Sequence, residues 1–132
     1  MDCIFCKIIN KQAPSYTIFE DDEAIAFLDI FPFVKGHTLV VPKKHSRWIW
    51  DIEKNEYCHL MESVKKVAEL LKKSFQTDYV QLLVVGQQVS HSHIHLFPRT
   101  KNDGYPEIPS SPMLCPPKEE MEALQNKIKN SL

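Results

Sequence analysis

"HSHIHLFPR", residues 91–99, is the stretch that decides how this chain is read. Histidine stands at 91, 93 and 95, so half of the chain's six histidines fall within five residues. A period of two belongs to a β-strand, where alternate side chains take opposite faces. The pattern therefore predicts a strand with His91, His93 and His95 on one face and with Ile94 and Leu96 turned to a core on the other. Successive histidine Cβ atoms would lie about 7 Å apart. Three neighbouring imidazoles gain little as packing, so the pattern points to chemistry: zinc ligation, nucleophilic attack or proton transfer near neutral pH. A zinc–nitrogen bond is about 2 Å long, so imidazoles that far apart on one strand do not converge on a single ion. The three histidines are expected to divide the work.

Upstream, Tyr16 to Phe19 and Ala24 to Asp29 read as short strands joined by the polar "EDDE", and "HTLVVP" (37–42) as a third after a loop bracketed by Pro32 and Gly36. From Glu53 to about Gln76 the period changes. Leu60, Met61, Val64, Val67, Ala68, Leu71 and Phe75 recur three and four apart, the apolar face of a long helix whose outer side carries Lys65, Lys66, Lys72 and Lys73. "YVQLLVVG" (79–86) reads as a buried strand ended by glycine. "PPKEEMEALQNKIKN" reads as a C-terminal helix with proline at its first turn and Glu119 and Glu120 near its positive end. About five strands, hairpin-like spacing before the long helix and one terminal helix give an α+β class with an antiparallel sheet.

The bulk numbers fit one domain over 1–132, with a core region from 3 to 99 and a tail and helix over 100–132. The chain carries 16 basic and 17 acidic residues, a net charge of −1, which offers no broad footprint for duplex nucleic acid or an anionic membrane. Lys43, Lys44 and Arg47 form a local basic cluster suited to a small anion. "MDCIFCKIIN" is too short and too interrupted by charge for a signal peptide, and no apolar run approaches the roughly 20 residues of a bilayer span. A cytoplasmic location is expected, where four cysteines are free or metal-bound rather than disulfide-bonded. Cys3 and Cys6 form C-x-x-C, a redox pair or half of a zinc site. No βαβ unit of the kind that carries a redox pair is visible around them. Cys58 is expected to pack, and Cys115 to be a free thiol. Trp48 and Trp50 are expected in the core or a dimer interface.

"HSHIHLF", together with "CIFCKII", "AFLDI", "GHTLVVPKKH" and "GQQV" in this order, resembles the histidine-triad (HIT) superfamily, and in particular bacterial-type zinc-containing members similar to the Hint branch. The resemblance runs from Cys3 to Arg99. It implies a HIT-like fold and a homodimer with a sheet continuous across the pair. It also implies a nucleotide hydrolase or transferase acting at the α-phosphorus of purine nucleotide conjugates, either nucleoside phosphoramidates or dinucleoside polyphosphates. His93 would be the nucleophile that carries a nucleotidyl intermediate. His95, as a cationic imidazole, would steady the phosphate or leaving group. Asp29 and Ile30 would lie at the ribose, Gln87 and Gln88 at the phosphate, and His37 would support the triad. Cys3, Cys6, His45 and His91 would hold a structural zinc. The segment before the triad is short and lacks the asparagine of many relatives, which keeps a second reading in play: a purine-nucleotide-binding scaffold with little activity. A third, a zinc-binding interaction module, would bind metal without nucleotide.

Overall fold

The computed structural model describes residues 3–132. Its elements are α1 (Ile4–Ile9), β1 (Thr17–Glu20), β2 (Ala24–Leu28), β3 (Thr38–Pro42), α2 (Lys54–Phe75), β4 (Tyr79–Leu83), β5 (Ile94–Arg99) and α3 (Lys118–Lys129). The five strands form one sheet in the order β1-β2-β3-β5-β4, antiparallel at every pairing. β2 and β3 are buried on both faces. On one face Ala26, Leu28, Val40, Ile94 and Leu96 pack with Leu60, Val64, Val67 and Leu71 of α2 and with Met121, Leu124 and Ile128 of α3. On the other, Ile25, Phe27, Leu39 and Val41 pack with Phe5 and Ile8 of α1. Two apolar layers thus clamp the central strands.

The long helix follows its sequence signals closely. The Glu53 carboxylate caps it, accepting from Asn55 and Glu56 N–H, and Gln76 ends it in the left-handed region at φ 51°. Gly36 turns the chain into β3 at φ +85°, where a Cβ would meet the Phe75 ring and Pro98 at 3.0 Å. Only glycine passes there without displacing them.

Three expectations are corrected, and one element goes beyond them. The strand expected from His91 begins at Ile94. The β3–β5 ladder stops at Val40–Ile94, and the preceding residues turn to other partners: Ser92 N–H donates to Ser46 C=O at 2.7 Å and His91 Nε2 to Pro42 C=O at 2.8 Å. β4 is not a buried strand: it is the sheet edge and half exposed, with Val84 and Val85 beyond its end. The helix α1 was not foreseen. Cys58 is exposed rather than packed.

Candidate active site and metal centre

His37 enters β3 and His95 sits on β5, across the ladder from Leu39. Residues two apart on a strand share a face, so the two imidazoles meet on the α1 side of the sheet. Phe33 N–H donates to His37 Nδ1 at 3.0 Å, and His37 Nε2 lies 2.9 Å from His95 Nδ1. A neutral imidazole carries one N–H, so this network assigns the tautomers. His37 must hold its proton on Nε2 and donate to His95 Nδ1, which leaves the His95 proton on Nε2. Asp29 Oδ2 stands 3.7 Å from His37 Nε2, and Asp29 Oδ1 accepts from Phe31 N–H at 2.9 Å.

His93 is fixed separately. Its Nδ1 lies 2.7 Å from the carbonyl of His91, which can only accept, so the proton is on Nδ1 and the lone pair on Nε2. No described residue hydrogen-bonds that Nε2. The His93 and His95 rings meet edge to face at 4.9 Å, and both residues are 4 % exposed. Burial, first, and the charge of Arg47 hold His93 below the ordinary histidine range, with the His91 carbonyl opposing them. Burial, then the charge of His93, lowers His95 to about 4, and burial with the charges of His95 and His93 lowers His37 to about 3. In the resting site burial favours a neutral His95, with an Asp29 carboxylate oxygen within 4.8 Å of its ring nitrogen. Burial raises the Asp29 carboxyl, with the Phe31 N–H opposing.

A cavity of about 480 Å³ opens in front of this cluster. Ile4, Phe5 and Ile8 of α1 and Phe27, Ile30 and Phe31 give it apolar walls, and Ser15, Asp29, Gln88, His93 and His95 supply its polar groups. Ile30 and Gln88 line it, whereas Gln87 is exposed and lines none of the described cavities. Sequence reading missed the α1 wall. The signal was available in the apolar spacing Ile4, Phe5, Ile8, Ile9, one helical face beside the two cysteines.

His91, also beside Phe5 of α1, turns to the two cysteines rather than to the cavity. Its Nε2 donates to Pro42 C=O, so its Nδ1 lone pair points at Cys3 Sγ and Cys6 Sγ, 3.4 and 3.5 Å away. His45 Nδ1 is 3.2 Å from Cys6 Sγ. The four ligand atoms lie within 4.8 Å of one another. A tetrahedral zinc with bonds of about 2.3 Å to sulfur and about 2.0 Å to nitrogen puts S and N about 3.5 Å apart, so the donor set and its spacing fit that ion. Burial keeps His91 in the neutral form a ligand needs. Burial and the adjacent Cys3 sulfur raise the Cys6 thiol, which a cation would reverse.

Of the basic cluster, Lys43 pairs with Glu20 and Lys44 with Glu56. Arg47 instead donates to Gly86 C=O and stacks over Trp48, its carbon 3.6 Å from the ring centre. Trp48 and Trp50 lie parallel at 5.0 Å, and Trp50 is 73 % exposed rather than in the core.

The model of the HIT domain matches residues 10–102. The chain belongs to the HIT family. An uncharacterised HIT-like protein of Borreliella burgdorferi is 43 % identical to it over 79 % of this chain and 80 % of that protein. The adenosine 5'-monophosphoramidase of Schizosaccharomyces pombe is 31 % identical over 100 % of this chain and 99 % of that protein. Among solved structures, a zinc-bound histidine triad family protein from Mycobacterium smegmatis superposes with a TM-score of 0.85 at 26 % identity, covering 99 % of this chain and 93 % of that one. The antiparallel sheet described above is thus the HIT fold, and relatives within the family are nucleotide hydrolases by name. No helix among the described residues is long and apolar enough to cross a membrane.

Proposed function

We propose that this HIT protein hydrolyses purine nucleotide conjugates at the α-phosphorus, through a nucleotidyl intermediate on His93. The observation that carries the reading is the pair of ordered tautomers at the cavity: His93 with its Nε2 lone pair free, His95 with a proton on Nε2. One nitrogen is a nucleophile and the other a hydrogen-bond donor, with their rings 4.9 Å apart. Activity of a related protein as an adenosine 5'-monophosphoramidase supports a nucleoside phosphoramidate as substrate.

In the first step His93 Nε2 forms a bond to phosphorus as the phosphorus–nitrogen bond of the substrate breaks. The electron pair stays with the departing nitrogen, which takes up a proton from solvent water, while the His95 Nε2–H donates a hydrogen bond to a phosphoryl oxygen. Water then attacks phosphorus and gives its proton to solvent, and the bond to His93 breaks with its pair on Nε2. His37 holds the His95 tautomer throughout by donating to Nδ1. The apolar walls suit a purine ring, and Asp29 and Ile30 at the cavity rim suit the ribose, whose diol a carboxylate accepts. Gln88, which lines the cavity with His93 and His95, suits the phosphate; Gln87 has no contact in favour of the same role. Cys3, Cys6, His45 and His91 would hold a structural zinc with all four positions filled by protein. These four residues would thereby tie α1, a wall of the cavity, to the residue two before His93.

A homodimer belongs to this reading, supported by the half-exposed edge strand β4 with Tyr79 and Leu82 uncovered. The deciding experiment is incubation with adenosine 5'-phosphoramidate, with mass analysis for a nucleotidyl adduct on His93. His93→Ala is expected to lose turnover by at least about a thousandfold while keeping its fold. Undiminished turnover would sink the assignment. Nucleotide binding without turnover by the unaltered chain would favour a scaffold instead.

A further inference from the structure

The loop from β4 to the triad carries Gln87 and Gln88 and has little internal support. Among the described residues, no backbone hydrogen bond outside the sheet ladder involves residues 84–90. The hydrogen bond that does reach this loop comes from a distant side chain: Arg47 Nη1 donates to Gly86 C=O. Arg47 is itself seated, with its guanidinium carbon 3.6 Å from the centre of the Trp48 ring. Trp48 also lies against Gly86, where a Cβ would meet Cζ3 at 3.1 Å and Cε3 at 3.4 Å. Gly86 takes φ +78°, a conformation that side chains rarely adopt. The far end of the loop is held by the residue before Arg47. Ser46 C=O accepts from Ser92 N–H at 2.7 Å and from Ser92 Oγ at 3.0 Å. Residues 46–48 therefore grip the loop at Gly86 and at Ser92.

This grip lies beside the triad. Arg47, Trp48, Gly86, Ser92 and His93 line one small cleft of about 80 Å³. On the same loop, Gln88 lines the cavity at Asp29 and also a second chamber of about 260 Å³ beside His95, which Ile108 of the tail helps to wall. A loop without backbone bonds of its own is ordered only as far as its neighbours hold it. Arginine suits that task, because its planar guanidinium can stack on an indole while its N–H groups point outward to a carbonyl.

We propose that Arg47 is a positioning residue: seated on Trp48, it anchors Gly86 C=O and so fixes the 86–90 loop, with Gln88, relative to His93. Its effect on turnover rests on the hydrolase reading above; the anchor itself does not.

Two measurements on the full chain test it. Arg47→Met keeps an apolar stem over Trp48 and removes the donors. Nitrogen-15 relaxation of this variant is expected to show backbone order parameters at Gln87, Gln88 and Val89 falling from about 0.85 to below about 0.6, with those of α2 unchanged. With adenosine 5'-phosphoramidate, kcat is expected to fall about ten- to a hundredfold, the effect of a misplaced group, while KM changes by less than about threefold. Gly86→Ala pushes the carbonyl off Trp48 without removing the Arg47 charge, and should give the same two effects. The double variant should lose no more than the larger single loss, because both changes break one contact. Unchanged order parameters in Arg47→Met overturn the anchor whatever the activity. Additive losses in the double variant overturn it as well. So does a loss carried by KM alone, which would make Arg47 a direct contact to the substrate anion. Absence of turnover by the unaltered chain overturns the hydrolase reading, and the order parameters then decide the anchor by themselves.

Discussion

His37 shows how one buried side chain sets the chemistry of another. It touches no cavity on the α1 side, yet the Phe33 N–H at its Nδ1 and the His95 ring at its Nε2 decide which nitrogen of His95 carries a proton. The cost is paid in pH dependence. His37 and His95 titrate at about 3 and about 4 in the fold, against about 6.5 in an unfolded chain. Their folded values are depressed, so their contribution to stability is whole above pH 6.5 and is lost as pH falls toward 4 and 3. The urea midpoint is expected to decline between pH 6.5 and 5, before most carboxylates titrate, and His37→Phe is expected to flatten that decline. A midpoint constant over this range would contradict the burial argument. At the other cluster, one zinc per chain is expected by metal analysis, lost in Cys3→Ser or Cys6→Ser. A metal-free, fully folded preparation would refute it.

Among the elements, α2 was legible because its signal repeats over six turns: a continuous apolar face, an acidic cap and lysines on the outer side. Leu71 lies on that face with no exposure. Leu71→Ala is expected to cost about 2–5 kcal/mol, read as a shift in the denaturation midpoint. β4 was misread because an apolar run in a buried strand and one on a sheet edge have the same letters. Position in the sheet decides, and β4 comes last in the order although it is fourth in sequence. The helix α1 escaped because six residues give barely one and a half turns of pattern, and the cysteines there suggested chemistry before structure. The start of β5 moved from 91 to 94 for a local reason: the Ser46 carbonyl captures the Ser92 N–H, and a ladder cannot use backbone groups already bonded elsewhere.

In the molecule as a whole, the sheet works as a partition. One face carries α2, α3 and the main core; the other carries α1, the triad and both cavities. The tail, which matched no motif, returns across this second face to wall the chamber beside His95. Sedimentation at micromolar concentration is expected to give twice the 15.3 kDa chain mass; a monomer would count against the β4 edge as a pairing surface.

By itself the sequence determined the α+β class and the long helix, because hydrophobic period and residue spacing act over neighbouring residues. Only the tertiary structure decided that His95 is buried against His37, that β4 is an edge and that Ile108 stands beside the triad. Each of these depends on what surrounds a group from distant parts of the chain. Desolvation, sheet order and a returning tail are set by packing between segments far apart in sequence.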